Sequence, residues 1–194
     1  VSDFARQNCV GGMEFLSCIP GSVGGAIIMN SGCYGSEISQ ILSSIKILDR
    51  NGEEKEIKKE EINFFYRGCN ISEDYLILSA KLKGKLTSQH SIAKKLEEFI
   101  ERKKISQPSR IKTGGSTFKN HEEKKAWKLI KESGCDKFSI GDAKISEKHS
   151  NFFINNGKAK TSDVEQLINK VKREVYKKTG INLELEIKII GDEK

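Results

Sequence analysis

The most informative stretch of the sequence reads Ile19-Pro20-Gly21-Ser22-Val23-Gly24-Gly25-Ala26, and Asn30-Ser31-Gly32-Cys33-Tyr34-Gly35 follows almost at once. The residues between the glycines are largely apolar, whereas flexible linkers fill such gaps with serine and other polar residues. Glycine removes side chains where the backbone must come close to another group or adopt a positive φ. We therefore interpret this stretch as the place where an apolar main chain approaches a bound cofactor.

The bulk composition sets limits on the class of protein. With 194 residues the chain makes one large domain or two small ones. It begins Val1-Ser2-Asp3-Phe4 without an initiator methionine, so we expect a fragment or a processed product. The sequence contains neither a membrane-spanning apolar run nor a signal peptide, which predicts a cytoplasmic protein with no membrane partner. Five scattered cysteines without a Cys-x-x-Cys pair, and three histidines, favour free thiols over a metal site.

The net charge of +7 allows two interpretations. The lysines mostly lie in runs mixed with glutamate, such as Glu53-Glu54-Lys55-Glu56, and such runs are typical of a solvated face. A basic RNA-binding domain is the alternative, but no aromatic residues are interleaved to stack on bases. We expect no nucleic-acid partner, although excess positive charge can help to collect an anionic small molecule.

Residue periodicity predicts a strand-rich first part and a mixed second part. Strands are predicted over residues 41–49, 54–58, 75–82, 151–154 and 183–189, with a hairpin turn at Asn51-Gly52 and with the third strand mostly buried. Helices are predicted near residues 92–100, 120–134 and 162–180, and a polar, glycine-containing loop over 112–117. Glu123 and Glu165 are expected to complete capping boxes with Asn120 and Ser162. The resulting class is α+β, with a boundary near residue 85 that separates residues 1–85 from 86–194.

Three polar residues could carry chemistry, although each also has a simpler interpretation. Glu186 lies on the polar face of the last predicted strand and can be an ordinary solvated carboxylate. Ser116 lies in a Gly-Gly-Ser-Thr loop, where a hydroxyl either closes a turn or points into a pocket. Arg67 follows three aromatic residues and can stack on them or bind a carboxylate.

Six motifs taken together resemble one family in the same order and over nearly the whole chain. The chain is similar to UDP-N-acetylenolpyruvoylglucosamine reductases, flavoenzymes that make UDP-N-acetylmuramate for bacterial peptidoglycan. The motifs are the glycine-rich stretch, Asn-Ser-Gly-Cys-Tyr-Gly-Ser-Glu, Tyr66-Arg67, Gly-Gly-Ser-Thr-Phe-Lys-Asn, Ser146 to Phe152, and Leu-Glu-Leu-Glu-Ile-Lys-Ile-Ile-Gly. Arg67 and Ser116 are only 49 positions apart, which resembles the compact type of the family.

The resemblance implies a domain organisation and a reaction. Residues 1–85 would be the second part of the FAD-binding domain, strand-rich and PCMH-like, and residues 86–194 the C-terminal substrate-binding domain; the N-terminal FAD subdomain would be missing. The reaction implied is FAD-dependent, NADPH-consuming reduction of the enolpyruvyl group of UDP-N-acetylglucosamine enolpyruvate, by a monomer. The alternative is a fragment, inactive by itself, that only binds the sugar nucleotide.

The resemblance also implies a role for individual residues. Ser116 would donate a proton to the enol intermediate, Glu186 would be the catalytic carboxylate, and Arg67 would steady the substrate carboxylate and the developing enolate. Substrate contacts would come from Tyr34, Lys104, Asn120 and His149. The residues that would contact FAD are Ile19, Pro20, Gly21, Ser22, Gly24, Gly25, Ala26, Ile28 and Gly32.

Overall fold

The computed structural model describes residues 1–191, which form an α+β protein. Contacts divide the chain into two compact units, of which the first is Val1–Lys103 and the second begins at Lys104. The division falls inside a helix, Gln89–Ser106, and therefore later than the sequence boundary at residue 85. The assignment of residues 86–194 to a substrate-binding domain stays a prediction.

The first unit contains three α-helices and nine short or medium strands among the described residues. The helices are α1 (Ser2–Gln7), α2 (Val23–Ile28) and α3 (Gln89–Ser106), which continues into the second unit. The strands are β1 (Val10–Gly11), β2 (Gly32–Cys33), β3 (Ser36–Glu37), β4 (Leu42–Leu48), β5 (Glu54–Lys58), β6 (Phe64–Phe65), β7 (Gly68–Cys69), β8 (Leu76–Leu82) and β9 (Lys85–Leu86). Short 3-10 turns cover Glu14–Cys18, Ile38–Gln40 and Lys59–Glu61.

An antiparallel sheet in the order β5-β4-β8 forms the centre of the first unit. The predicted turn between β4 and β5 is confirmed: Gly52 has a φ of +80°, and its amide donates to the Asp49 carbonyl at 3.1 Å. Ile45 and Ile47 of β4 are buried and pack with Ile27 and Phe15 in the core. The strand therefore has the buried and exposed alternation of a sheet with one covered face.

The expectation that the strand at residues 75–82 is mostly buried is wrong. Leu76 and Leu78 are 62% and 43% exposed, whereas Ile77 between them is partly buried. The strand lies at the edge of its sheet, and α2 contacts the side that carries Ile77. An apolar composition alone does not reveal that only one face of a strand has a neighbour.

The second unit is a four-stranded antiparallel sheet packed against two helices. The strands are β10 (Lys112–Ser116), β11 (Ser139–Ile140), β12 (Ala143–Ile145) and β13 (Phe152–Asn155), in the order β10-β13-β12-β11. The helices are α4 (Ala126–Glu132) and α5 (Thr161–Thr179). Their apolar faces and the sheet share one core, built on Phe118, Leu129, Ile130, Ile145, Phe153, Leu167, Val171 and Val175.

Helix α5 follows its sequence pattern closely. Leu167, Ile168, Val171 and Val175 form the predicted buried stripe, and Gly180 ends the helix at a φ of +72°. The predicted cap of Ser162 with Glu165 is wrong, because the helix begins earlier and the Lys160 amide donates to the Asp163 carboxylate at 2.9 Å. A carboxylate in the first turn compensates both an unpaired amide and the positive end of the helix dipole.

Three further expectations in the second unit are wrong. Residues 112–116 form strand β10 rather than a loop. Asn120 does not form a capping box with Glu123; its side-chain oxygen accepts from the Ala126 amide at 3.1 Å. The regular strand over 183–189 is absent from the described residues, where Leu185 makes only an isolated bridge with Phe118.

Candidate active site

Ser116 lies at the end of β10, in a backbone with an irregular register. Thr113 pairs with Ile154, but Ser116 pairs with Phe152, so the register shifts between them. Gly115 has a φ of +87°, a conformation that glycine adopts without strain. Bulges of this kind redirect a side chain relative to the regular sheet. The Ser116 side chain is partly buried.

A buried asparagine braces the strand immediately after Ser116. Asn151 is 4% exposed; its side chain donates to the Phe118 carbonyl at 2.8 Å and accepts from the Phe118 amide at 3.0 Å. The Asn151 carbonyl also accepts from the Thr117 amide at 2.8 Å. Hydrogen bonds of this type contribute about 1 kcal/mol each, and more is lost when one buried partner is left unsatisfied. The sequence pattern assigns no role to Asn151, although the residue lies within the Ser146 to Phe152 motif.

Glu186 lies alongside the same segment. Its amide donates to the Thr117 carbonyl at 2.9 Å, and the Lys119 amide donates to the Glu184 carbonyl at 2.8 Å. The main chain of the C-terminal segment therefore follows the main chain that continues from Ser116. The glutamate is partly buried rather than fully solvated. The two predicted residues therefore belong to adjacent main-chain segments of one unit.

Arg67 belongs to the first unit and has a strained backbone. It lies in the two-residue turn between β6 and β7, with a φ of +59°. Its guanidinium lies 4.9 Å from the centroid of the Tyr66 ring, and Nη2 donates to the Gly32 carbonyl at 3.5 Å. A residue with a β-carbon has a conformational free energy roughly 1–2 kcal/mol higher than glycine in this left-handed region. Strain retained at a polar residue is typical of a functional position.

The glycine-rich stretch lines a cavity of about 360 Å³ in the first unit. The Ser22 hydroxyl caps α2 by accepting from the Gly25 amide at 3.1 Å. Gly21 has a φ of +128°, so a side chain there would be strained. Six of the predicted cofactor residues line the cavity: Ile19, Pro20, Gly21, Ser22, Gly25 and Ala26.

The other three predicted cofactor residues do not line it. Gly24 faces β8, where an added Cβ would lie 3.5 Å from Ile77. The Ile28 carbonyl accepts from the Cys69 thiol at 3.5 Å. Gly32 packs against β3 so closely that an added Cβ would lie 2.4 Å from the Ser36 carbonyl oxygen. These positions shape the unit around the cavity.

Tyr34 is held between an aromatic ring and a cation. Its ring stacks on Phe99 at a centroid distance of 5.0 Å, and the Arg102 guanidinium lies 4.5 Å from its centroid. Both partners come from α3, three residues apart and therefore on one face of that helix. Tyr34 has a φ of +54°, which is uncommon for an aromatic residue.

The three other predicted substrate contacts lie in the second unit. The Lys104 carbonyl accepts from the Lys148 ammonium. Asn120 caps α4 through its oxygen, as described above. His149 contacts Phe152 edge to face, with ring centroids 4.9 Å apart, and lies 6.4 Å from the Trp127 ring.

His149 is kept neutral by its surroundings. Burial lowers the pKa of His149 below its usual value, because the charged imidazolium loses solvation. Nδ1 accepts from the Asn151 amide at 3.2 Å, which assigns the proton of the neutral ring to Nε2. A neutral imidazole in this tautomer presents Nε2–H as a donor.

In residues 1–191, no three His, Cys, Asp or Glu side chains gather in a way that could hold a metal ion. None of the helices in that range is both long enough and apolar enough to cross a membrane.

Comparisons with known proteins agree with the two units. Residues 107–190 match the family model of the C-terminal domain of UDP-N-acetylenolpyruvoylglucosamine reductase, and residues 1–58 match that of an FAD binding domain. The reductases of Pelagibacter ubique and Wolbachia pipientis are 46% and 44% identical over 98% of this chain. The chain covers 64% and 65% of those two proteins, and so spans less than two thirds of their length.

A solved structure gives the same result. The crystal structure of UDP-N-acetylenolpyruvylglucosamine reductase from Thermus caldophilus matches with a TM-score of 0.86 and 32% identity, over 96% of this chain and 67% of that one. Sequence similarity and fold thus agree across both units. The chain therefore belongs to the UDP-N-acetylenolpyruvoylglucosamine reductase family.

Proposed function

We propose that the protein carrying this chain is an FAD-dependent, NADPH-consuming reductase that converts UDP-N-acetylglucosamine enolpyruvate to UDP-N-acetylmuramate in peptidoglycan synthesis. The observation that supports the proposal is the main-chain hydrogen bonding of residues 117–119 with 184–186, so that Ser116 and Glu186 belong to adjacent segments of a domain that matches this family. A cytoplasmic, monomeric enzyme is part of the same proposal.

The residues around the cavity fit a flavin. Its walls combine apolar side chains such as Ile19 and Ala26 with glycines that leave the main chain bare. A planar, largely apolar ring system needs such a surface, and a few polar groups to orient it. Bound FAD would supply hydride originating from NADPH, and the chain would supply binding and orientation.

Arg67 would bind the substrate carboxylate. As the enolpyruvyl group is reduced, negative charge builds towards that carboxylate. A fixed guanidinium then stabilises the transition state more than the ground state, and this difference accelerates the reaction. The strained turn and the stacking on Tyr66 support this role, because both restrict the directions that the guanidinium can take.

Ser116 would deliver the proton that completes the reduction. A serine hydroxyl is a weak acid, so it can protonate only a strongly basic carbon such as that of an enolate. Proton transfer also needs close, fixed geometry, which is consistent with the braced strand end. We assign to Glu186 the role of the carboxylate that assists this step.

The family resemblance supplies the substrate contacts of this proposal. Lys104 and Asn120 would contact the diphosphate, Tyr34 would contact the substrate, and His149 would donate through Nε2–H. The neutral state of His149 supports a hydrogen-bonding rather than a charge-pairing role. Lys104 would then provide the positive charge that pairs with the diphosphate.

Rapid kinetics of the S116A variant test the proposal. In the full-length protein encoded by the gene, we expect NADPH to reduce the flavin at the wild-type rate, while turnover with the enolpyruvyl sugar nucleotide collapses. S139A is the matched control, since Ser139 is exposed on β11 of the same sheet and is expected to leave both steps unchanged. Unimpaired turnover of S116A would remove the proton-donor assignment.

A second candidate function concerns these 194 residues taken alone. The match to the FAD binding domain ends at residue 58, and the chain spans less than two thirds of its relatives. The chain alone would then bind the sugar nucleotide without reducing it. Flavin absorbance of the purified 194-residue protein decides the matter: flavin in a one-to-one ratio with protein would rule this candidate out.

A further inference from the structure

The turn that carries Arg67 is a small hairpin, closed at its base by hydrogen bonds between Asn63 and Asn70. It consists of β6 and β7, two residues each, joined by Tyr66-Arg67. An isolated hairpin of this size is not stable in water. The direction of the arginine therefore depends on what attaches the hairpin to the rest of the unit.

Asn30 makes such an attachment. It is 2% exposed, and its side-chain amide donates to the Phe65 carbonyl at 3.3 Å. Its side-chain oxygen accepts from the Ser39 amide at 3.0 Å. Both ends of a buried amide are thus satisfied by main chain from two different segments. The φ of +39° at Asn30 adds a local reason for asparagine, which tolerates this region better than most residues.

Asn30 also directly follows the helix that borders the cofactor cavity. Its amide donates to the Ile27 carbonyl at 3.0 Å, and the Ser31 amide donates to the Ala26 carbonyl at 2.8 Å, so the residue is fixed to the C-terminal end of α2. Ala26, Met29 and Ser31, all within this turn, line the cavity. One side chain therefore joins the wall of the cavity to the hairpin of the arginine.

We propose that Asn30 is a positioning residue that sets the direction of Arg67 relative to the cofactor cavity. The inference rests on the proposed function for its catalytic meaning. Reaction rates fall steeply with misplacement, and a shift of about 1 Å can cost about 100-fold. Loss of the Asn30 amide would remove its hydrogen bond to the Phe65 carbonyl and weaken the attachment of the hairpin on that side. Two weaker contacts, from the Cys69 thiol to the Ile28 carbonyl and from Arg67 Nη2 to the Gly32 carbonyl, both at 3.5 Å, would remain.

Two substitutions separate the effect of the Asn30 side chain from the effect of its left-handed backbone. N30D keeps the shape of the side chain and the oxygen that accepts from the Ser39 amide, but it places a second carboxylate oxygen against the Phe65 carbonyl. N30G removes the side chain and retains the left-handed backbone without strain, so it is the second variant if N30D does not fold. N155D is the matched control, because the Asn155 amide donates to the Ala159 carbonyl at 3.1 Å in the second unit.

Hydrogen–deuterium exchange tests the attachment without reference to activity. In the 194-residue protein we expect residues 64–69 to exchange about 10-fold faster in N30G or N30D, as a local opening becomes easier. The N155D control should leave that hairpin unchanged. Unchanged exchange of the hairpin in both Asn30 variants would overturn the inference.

A double-mutant cycle tests whether Asn30 acts through Arg67. In the full-length protein we expect N30D to lower kcat/KM for the sugar nucleotide about 100-fold, and to have an effect of less than about threefold when Arg67 is already alanine. An equal loss in both backgrounds would show that Asn30 acts by another route. A wild-type protein without turnover would contradict the proposed function, and the exchange experiment would still decide whether Asn30 holds the hairpin.

Discussion

The strained turn at Arg67 gives an unusual stability prediction. R67A and R67G both remove the guanidinium, and we expect turnover to collapse in both. They differ in backbone, because alanine keeps the strain of the left-handed conformation and glycine relieves roughly 1–2 kcal/mol of it. Glycine also gives the unfolded chain more conformational entropy, and this lowers the stability of R67G by about 0.4–1 kcal/mol, which offsets part of the relieved strain. R67G should therefore be more stable than R67A by about 1 kcal/mol.

Thermal unfolding followed by circular dichroism measures this difference. For a protein of this size, about 1 kcal/mol corresponds to a Tm difference of about 2–4 °C. The control pair is R173A and R173G, because Arg173 is exposed in the middle of α5. There glycine should be the less stable by about 1 kcal/mol. The reasoning is refuted if R67A melts at the same temperature as R67G or above it.

Three further predictions concern titration, reactivity and capping. Because burial lowers the pKa of His149, the unfolded state binds the proton more tightly than the folded state does. The free energy of unfolding should therefore fall as the pH drops from about 6.5 through the lowered pKa. NMR titration locates that pKa, and the H149Q variant should show a flatter decline. Burial is the main cause that raises the pKa of Cys33 and of Cys135, each to about 11. Alkylation of these thiols at pH 8 should therefore be about 100-fold slower in the folded protein than in guanidinium. Equal alkylation rates, measured by mass spectrometry, would contradict this prediction. The D163A variant should lose about 1 kcal/mol of the free energy of unfolding, measured in urea. The E165A variant, changed at the predicted but unused cap, should keep nearly the wild-type value.

Local patterns in the sequence predicted local structure well. The apolar stripe of α5 and the turn at Asn51-Gly52 depend on residues close together in the chain, and both are confirmed. Much of the glycine-rich stretch lines a cavity, and the cofactor expected there stays a prediction. In these cases the physical cause, helical periodicity or a positive φ, acts within a few residues.

Features that depend on distant partners were not predictable in the same way. The alternation of residues 183–189 indicates which side chains share a face, but a strand also needs a neighbour, and only residues 117–119 supply one among the described residues. Residues 112–116 were expected to form a loop, yet β13 provides a partner and makes them a strand. Likewise, no local pattern reveals that Leu76 and Leu78 face solvent.

Side chains that brace the candidate site were missed for the same reason. Asn30 and Asn151 are buried amides that join segments far apart in the chain, and a single asparagine carries no sequence signal for this. They lie within motifs that the family resemblance had already marked. Their contacts give a physical reason for asparagine at those positions.

A structure of the full-length protein with FAD and the sugar nucleotide bound tests the central claim most directly. We predict the Ser116 hydroxyl within about 3.5 Å of the carbon that receives the proton, Glu186 beside it, and the Arg67 guanidinium on the substrate carboxylate. Ser116, Glu186 and Arg67 on separate surfaces, without contact to a shared ligand, would contradict the account.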